Sequence, residues 1–246
     1  MSAWSLVAAA LVYLIGLLAM APATLIDARL RDATGGRLRL AEARGTIWSG
    51  SGRLEFRDAS RQSGIAKHLG WRVRPAHLLR GRLRCEVSFD HAPRHFSVTL
   101  TPSAFEVAEA DLSLPAATLG LAEPRLAALE LTGDVLLHVD RLAIASEATQ
   151  GHALLQWRSA GSTLTPVSPL GDYELRLEGD GAVIRGSLRT LRGPLQLEGL
   201  GSWTPGRTPD FRGTAVVPPQ HQQQLSPLLR LIAVERGGGS FALQLK

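Results

Sequence analysis

The chain has 246 residues, of which 45% are hydrophobic and 20% are charged, and its formal net charge is +5. This apolar content excludes an intrinsically disordered chain and is sufficient for a buried core. The arginines form no run and do not alternate with aromatic residues, which argues against a nucleic-acid partner.

The charge is distributed unevenly along the chain. Residues 27–100 contain 15 basic and 7 acidic residues, whereas residues 101–246 contain 12 basic and 15 acidic residues. The basic half is either an ordinary solvated surface or a contact surface for anionic lipid headgroups or an acidic partner.

An apolar segment, Ala3–Ala21, contains no charged residue. At about 1.5 Å per residue, a helix of this length just spans the hydrocarbon core of a bilayer, and Trp4 lies where an interfacial aromatic is expected. The alternative is a cleaved signal peptide, but Pro22 would follow the cleavage site and disfavour cleavage. We therefore predict a retained anchor within residues 1–26. The following Arg29 and Arg31 would by themselves favour a cytoplasmic body, so this segment leaves the orientation open.

Beyond the anchor, apolar and polar residues alternate with period two, which predicts β-strands. The predicted strands are 37–43, 52–58, 81–89, 94–100, 130–145, 151–157, 173–179, 182–188, 194–203, 211–217 and 240–246. Helical signals are short: one turn at 75–80, a turn or two within 116–129, and a helix over 220–234 that Gly237–Gly239 should stop. Glycines 179, 181, 186, 193, 199 and 201 are expected at turns and bulges.

These elements predict a mainly β fold over residues 27–246: a curved antiparallel β-sheet or a sandwich-like domain with a few short helices. A faint internal repetition predicts two halves that divide near residues 102–124. The strand faces are rich in leucine, valine and alanine, so the sheet either packs into a closed core or leaves an apolar groove for an acyl chain or a partner strand.

The sequence contains no recognisable catalytic motif. Pro93 separates His91 from His95, which argues against a metal site there, and Gly199–Thr204 lacks the third glycine of a dinucleotide fingerprint and is interpreted as a strand with bulges. The single cysteine, Cys85, lies on an apolar strand face and is interpreted as a small core residue. We predict no enzymatic activity, no catalytic residue, no cofactor and no metal.

Nine residues are candidates for a structural or partner-contact role. Gly45 and Gly50 should flank a tight hairpin around Trp48, and Pro75 should begin the first helical turn. The other candidates are Trp71, Trp157, Gly171, Tyr173 and Trp203. The four tryptophans are expected to be core anchors, with partner binding as the alternative for Trp48. The Tyr173 hydroxyl should tie a turn to a strand.

Several segments, taken together, resemble the type II secretion system protein N family (general secretion pathway protein N). The segments are Gly36–Leu40 leading into Gly45–Gly52; Trp71–Pro75 followed by Leu78 and Gly81; Trp157, Ala160, Leu164 and Pro166 running into Pro169–Tyr173; Gly193–Leu195; and Gly199–Trp203. They occur in the family's order, after an apolar N-terminal segment followed by Pro22 and Ala23, and they cover nearly the whole chain. The glutamine-rich stretch Gln220–Gln224 departs from the family pattern.

The resemblance implies an accessory, single-pass component of the type II secretion machinery in the inner membrane. Its bilayer contact would be residues 3–21, and its β-rich body would lie in the periplasm and bind other secretion components. The alternative that the strand faces allow is a membrane-tethered periplasmic module that handles lipid in an apolar groove.

Overall fold

The computed structural model describes residues 13, 16–57, 64–90, 95–122, 124–145, 148–204, 207–208, 210–237 and 240–245. They belong to two compact units: unit 1 extends to His95, and unit 2 begins at Phe96. Residues 102–124, where the sequence predicts a division, lie inside unit 2. The predicted end of the anchor at residue 26 stays a prediction.

Within its described residues, unit 1 contains a helix and a four-stranded antiparallel sheet in which neighbours in sequence are neighbours in space. Its elements are α1 (Thr24–Thr34), β1 (Leu38–Gly45), β2 (Ser49–Arg57), β3 (Gly64–Arg74), a 3₁₀ helix (Pro75–Arg80) and β4 (Leu83–Phe89). The helix ends at Gly35, whose φ of 60° permits the left-handed cap conformation.

The core of unit 1 is small. Among the described residues, Ala23, Leu40 and Trp71 form its buried cluster, against which Ile26 and Leu30 of α1 pack, and Leu54 of β2 is buried as well. Asp27 is also buried, and its carboxylate accepts a hydrogen bond from the Leu40 amide at 2.8 Å and pairs with Arg31 at 2.8 Å. Helix α1 is therefore fixed to β1 by both apolar and polar contacts.

The described residues of unit 2 form ten strands, all paired antiparallel, in the order β5-β6-β7-β8-β9-β10-β11-β12-β14-β13. The strands are β5 (Phe96–Leu100), β6 (Ala104–Pro115), β7 (Leu131–Ala145), β8 (Thr149–Ser162), β9 (Gly171–Gly181), β10 (Ile184–Arg192), β11 (Gln196–Trp203), β12 (Asp210–Val216), β13 (Ala233–Gly237) and β14 (Ser240–Leu245). The helices are α2 (Leu119–Ala122), α3 (Pro124–Ala127) and α4 (Gln222–Ile232), with 3₁₀ turns at Ala116–Thr118 and Pro219–His221.

Two apolar clusters stabilise unit 2. In the larger one, α4 contributes Leu225, Leu228 and Leu229, which pack with residues of the sheet and its loops that include Leu170 and Leu195. In the smaller one, Ala110, Val139 and Ala153 are buried, and all members, including the partly buried ones, belong to strands β5–β9.

The predicted fold class is confirmed in its main part, because the described chain is mostly antiparallel β-sheet with short helices. Within each unit the strands form a single sheet rather than the two facing sheets of a sandwich. The predicted segment Ala3–Ala21 lies largely outside the described residues, and none of the described helices has the length and apolarity needed to cross a membrane. The expected hairpin connection at residues 90–93, with His91, also lies mostly outside them.

Two local predictions are wrong. Helix α4 ends at Ile232 and is followed at once by β13, so Gly237 belongs to a strand and does not stop the helix. Gly179 and Gly186 are regularly paired within β9 and β10. Gly199 and Gly201 lie in the regularly paired interior of β11, where the Phe211 ring on β12 covers them. These two glycines leave space for an aromatic ring instead of marking bulges.

Candidate functional site

Five of the predicted site residues come together at one end of unit 1. Gly45 pairs with Gly50 across the β1–β2 hairpin, and Gly50 pairs with Trp71 on β3. The Trp71 indole donates a hydrogen bond to the Thr46 carbonyl at 3.1 Å. The Trp48 carbonyl accepts one from the Val73 amide at 2.6 Å, and Pro75 begins the 3₁₀ helix directly after β3. The predicted hairpin around Trp48 is therefore confirmed.

Glycine is required at the two positions of this hairpin for different physical reasons. Gly45 has a φ of 90°, a conformation that other residues rarely adopt. A Cβ atom on Gly50 would lie 2.4 Å from the Arg44 carbonyl oxygen and 2.5 Å from the Trp71 ring. Gly50 thus allows the Trp71 ring to lie on the backbone of β2.

The hairpin also holds the segment that precedes α1. The Ala23 amide donates to the Gly45 carbonyl at 3.1 Å, and the Ile47 amide donates to the Ala21 carbonyl at 3.0 Å. The Trp48 indole donates to the Leu18 carbonyl at 2.8 Å. These three hydrogen bonds connect the end of the apolar N-terminal segment directly to the tip of the hairpin.

The prediction that all four tryptophans are core anchors is confirmed only for Trp71, which is 8% exposed. Trp48, Trp157 and Trp203 are half-buried. Each of these three donates its indole N–H to a backbone carbonyl near the surface, of Leu18, Thr132 and Arg207 respectively. These carbonyls lie near the surface and hold the polar edge of each ring there, whereas the Thr46 carbonyl accepts the hydrogen bond of the buried Trp71.

Exposed arginines surround the hairpin end of unit 1. The last residues of β1 and β3 and the first residues of β2 and β4 lie at the same end of an antiparallel sheet. We call the exposed arginines there the arginine end, which consists of Arg44, Arg72, Arg74, Arg80, Arg82 and Arg84. Arg74 pairs with Glu86 at 2.7 Å, and no other member has an ion pair within the described part of the chain. Sequence analysis found the excess of positive charge but not its concentration at one end.

Three other predicted residues meet in unit 2. Trp157 and Tyr173 are paired across β8 and β9, and their ring centroids are 5.8 Å apart. The Tyr173 ring covers Gly171, and its hydroxyl donates to the Leu195 carbonyl at 2.9 Å. This bond confirms that the hydroxyl ties a strand to a turn, and burial raises the pKa of Tyr173. Trp203 pairs with Ile184 at the other end of β10 and does not join this group.

Two buried carboxylates beside Tyr173 were missed by the sequence analysis. Asp172 accepts a hydrogen bond from the Ser159 amide at 2.7 Å and pairs with Arg192 at 2.5 Å, and these contacts lower its pKa. Burial disfavours the charged form of Glu174 and by itself would raise its pKa. Hydrogen bonds from Gln156, Arg176 and Arg189 outweigh this effect and lower the pKa. Their positions belong to the ordinary polar alternation of β9, which Arg176, Glu178 and Asp180 continue, so no local signal in the sequence marks them as buried.

Other polar features of unit 2 are open to solvent. A shallow cavity of about 500 Å³ over β9–β12 is lined by both signs of charge, including Arg185, Arg212, Glu178 and Asp210. His138 lies between Asp111 at 2.5 Å and Asp140 at 3.1 Å, and the hydrogen bond to Asp111 raises its pKa. Within the described ranges, no group of three histidine, cysteine or acidic residues is placed to hold a metal ion.

Cys85 lies on β4 and packs against the core of unit 1. Partial burial raises the pKa of its thiol. A raised pKa leaves little thiolate at neutral pH, so the thiol behaves as an apolar side chain, as the sequence predicts.

The described residues thus define a β-sheet protein whose candidate site is a surface of tryptophan and arginine side chains, next to the point where the N-terminal segment is held. The chain belongs to the type II secretion system (T2SS) protein N family, whose sequence model matches residues 36–244. The family is a component of type II secretion. A search of curated proteins and a search of solved structures returned no match.

Proposed function

We propose that this protein is a non-catalytic accessory component of the type II secretion machinery, anchored in the inner membrane by residues 1–26. Its two β-sheet units lie in the periplasm and bind other secretion components. The observation that carries this proposal is the extent of the family match, which begins before β1 and reaches into β14.

The apolar N-terminal sequence and its attachment support the membrane location. Residues 3–21 contain no charge. The described end of this segment exposes Leu17, Leu18 and Met20, which are 53%, 57% and 79% exposed. Apolar side chains exposed in succession beside a folded unit are stabilised by a lipid environment. The hydrogen bonds from Ile47 and Trp48 then hold unit 1 next to the bilayer.

The contact surface for secretion components includes the hairpin end of unit 1. Trp48 presents a half-buried aromatic ring there, and tryptophan is among the residue types that dominate binding energy in protein interfaces. Gly45, Gly50 and Pro75 position this surface, and Trp157, Gly171 and Tyr173 give unit 2 its rigid centre.

A co-purification experiment tests the proposal. The full chain, solubilised from the inner membrane, should retain other T2SS proteins, and Trp48→Ala should reduce their recovery. Trp203→Ala is the matched control, because both indoles are half-buried and donate to a backbone carbonyl. Deletion of the gene should leave exoproteins in the periplasm. Normal secretion in the deletion strain, or no T2SS protein recovered with the wild-type chain, would contradict the proposal.

A second candidate function is lipid handling, for which the β5–β9 face of unit 2 gives a specific observation. Ala110, Val139 and Ala153 form its buried floor, while large apolar residues around them are only partly buried. At one end of this face Leu100 and Phe105 are 43% and 40% exposed. Such a face fits an acyl chain. Mass spectrometry of gently purified protein should then detect bound lipid, and lipid-free protein would exclude this function.

A further inference from the structure

We propose that the arginine end of unit 1 binds the phosphate groups of anionic phospholipids, so that unit 1 lies directly on the bilayer surface. This inference rests on the membrane anchoring proposed above and adds to it a lipid class and a set of residues. The partner it names is a bilayer with a negatively charged surface.

The arginine end lies close to the point where the N-terminal segment meets unit 1. The arginine end lies at the same end of the sheet as the hairpin that holds Leu18 and Ala21. The 3₁₀ helix that follows β3 brings Arg80 and a 41% exposed Leu78 to this end. If the apolar segment enters a bilayer, this end is the part of unit 1 nearest to the headgroups.

The positive charge of the arginine end is only partly balanced by the described carboxylates. Glu86 is the carboxylate that pairs with the arginine end, and it binds Arg74. Arg74 is also directly opposite Arg84 in the β3–β4 register. Like charges directly opposite each other repel and destabilise a sheet. A bound phosphate would relieve this repulsion, because one anion can accept hydrogen bonds from two guanidinium groups.

This surface combines tryptophan, arginine and exposed apolar side chains, which is typical of a membrane interface. Trp48 places its ring at the surface and its N–H on the Leu18 carbonyl, and tryptophan is enriched at the membrane interface. Arginine side chains rest their apolar stems on such a surface while the guanidinium reaches the phosphates. An acidic protein would also satisfy the charges, but it would not explain the exposed Leu17, Leu18 and Met20 beside them.

The experiment uses the full-length chain in nanodiscs made of acyl-brominated phosphatidylcholine, with or without phosphatidylglycerol. Bromine quenches tryptophan at short range, and the Trp48 contribution is the difference between wild type and Trp48→Phe. Quenching of this contribution should increase when phosphatidylglycerol is present and decrease with added salt. Each basic residue near an anionic bilayer strengthens binding roughly fivefold, so reversing the charge of several arginines should weaken lipid binding strongly.

Charge reversal provides the matched comparison. The variant R80E/R82E/R84E should lose the phosphatidylglycerol-dependent increase. The control R185E/R207E/R212E makes the same change in net charge with exposed arginines of unit 2 and should keep it. Melting curves verify that both variants fold, and R82E alone, outside the regular strand, repeats the test with the least structural change.

The following results would overturn the inference. Equal quenching of wild type and Trp48→Phe would place Trp48 away from lipid. Equal loss of the phosphatidylglycerol-dependent increase in both triple variants would show that it depends only on net charge. Loss of a co-purified secretion protein from R80E/R82E/R84E, with its lipid response unchanged, would assign the arginine end to an acidic protein. A chain that is incorporated into nanodiscs but ignores phosphatidylglycerol contradicts only this inference, whereas a chain that is not incorporated also contradicts the anchoring.

Discussion

The two units differ in what stabilises them. Among the described residues, the core cluster of unit 1 has three buried members, of which Trp71 is by far the largest. Unit 2 has a cluster of eight buried residues, three of them on α4, and a second cluster within the sheet. Their charges differ too: residues 1–95 contain 15 basic and 7 acidic residues, and residues 96–246 contain 12 and 15.

This difference indicates a division of roles. Unit 1 has little apolar area to stabilise it and concentrates its polar contacts where it meets the N-terminal segment. Unit 2 buries more and pairs its buried carboxylates with arginines. We infer that unit 1 is the attached and contacting unit, and that unit 2 is the more stable scaffold. The predictions below test this contrast.

The largest effect is expected for Trp71→Ala. The substitution removes the largest side chain of the unit 1 core and the hydrogen bond to Thr46, so we expect unfolding of unit 1 to become easier by about 3–5 kcal/mol. Thermal melting followed by circular dichroism measures it. Trp203→Ala, at a half-buried site, is the control and should cost less. An unchanged melting temperature for Trp71→Ala would contradict the assigned core.

The corresponding change in unit 2 is Leu229→Ala. Leu229 lies on α4 and is fully buried, and the cavity that the substitution leaves should lower the free energy of unfolding by about 3 kcal/mol. Because seven other buried residues remain in its cluster, we expect unit 2 to stay folded at room temperature, unlike unit 1 in Trp71→Ala. Amide hydrogen exchange, read separately for β1–β4 and β9–β14, distinguishes the two units. Loss of protection in both units from either substitution would contradict the contrast.

Much of this fold could be predicted because alternation with period two is a local signal. The strands β7, β9, β11 and β12 were placed to within a few residues, and so were the 3₁₀ helix at Pro75 and the helix α4. Strand β6 was missed because Glu109, with a φ of 59°, interrupts its alternation. Strand β13 was missed because its sequence continues the apolar pattern of α4 without a break.

The site was predicted less completely, since its components are separated in sequence. The hairpin around Trp48 could be read from three nearby glycines. Contacts such as that of the Trp48 indole with Leu18, or of Glu174 with Arg189, join residues whose proximity depends on strand register. A sequence pattern gives the residue types but not the register, so the burial of Trp48 was overestimated and Asp172 and Glu174 were overlooked.

A smaller effect is expected for Asp172→Asn, which tests whether polar pairing stabilises unit 2. Its charge-assisted hydrogen bonds should contribute about 2 kcal/mol. Because the pKa of Asp172 is lowered in the folded state, this stabilisation is present above the unfolded value of about 3.9 and is lost as pH falls through the folded pKa. Urea unfolding at neutral pH and near pH 3 measures it. A wild-type advantage that persists undiminished in acid would contradict the assignment.

Tyr173→Phe should cost about 1 kcal/mol. The ring and its contact with Trp157 remain, but the Leu195 carbonyl loses the hydrogen bond from the hydroxyl. The variant isolates the strand-to-turn tie from the packing. Urea unfolding compares it with wild type. Equal stabilities of wild type and Tyr173→Phe would show that the tie contributes nothing to unit 2.

The smallest effect concerns His138, which is exposed and lies between two aspartates. Its pKa is raised in the folded state by the Asp111 hydrogen bond, so its contribution is fully present below the unfolded value of about 6.5 and is lost as pH rises through the folded pKa. Exposed ion pairs are screened, and we expect less than about 0.5 kcal/mol. Replacement by glutamine should therefore reduce stability slightly near pH 6 and not near pH 9. An NMR titration of the His138 ring with a midpoint at or below the unfolded value would contradict this pairing and leave Asp172 and Glu174 as the carboxylates that stabilise unit 2.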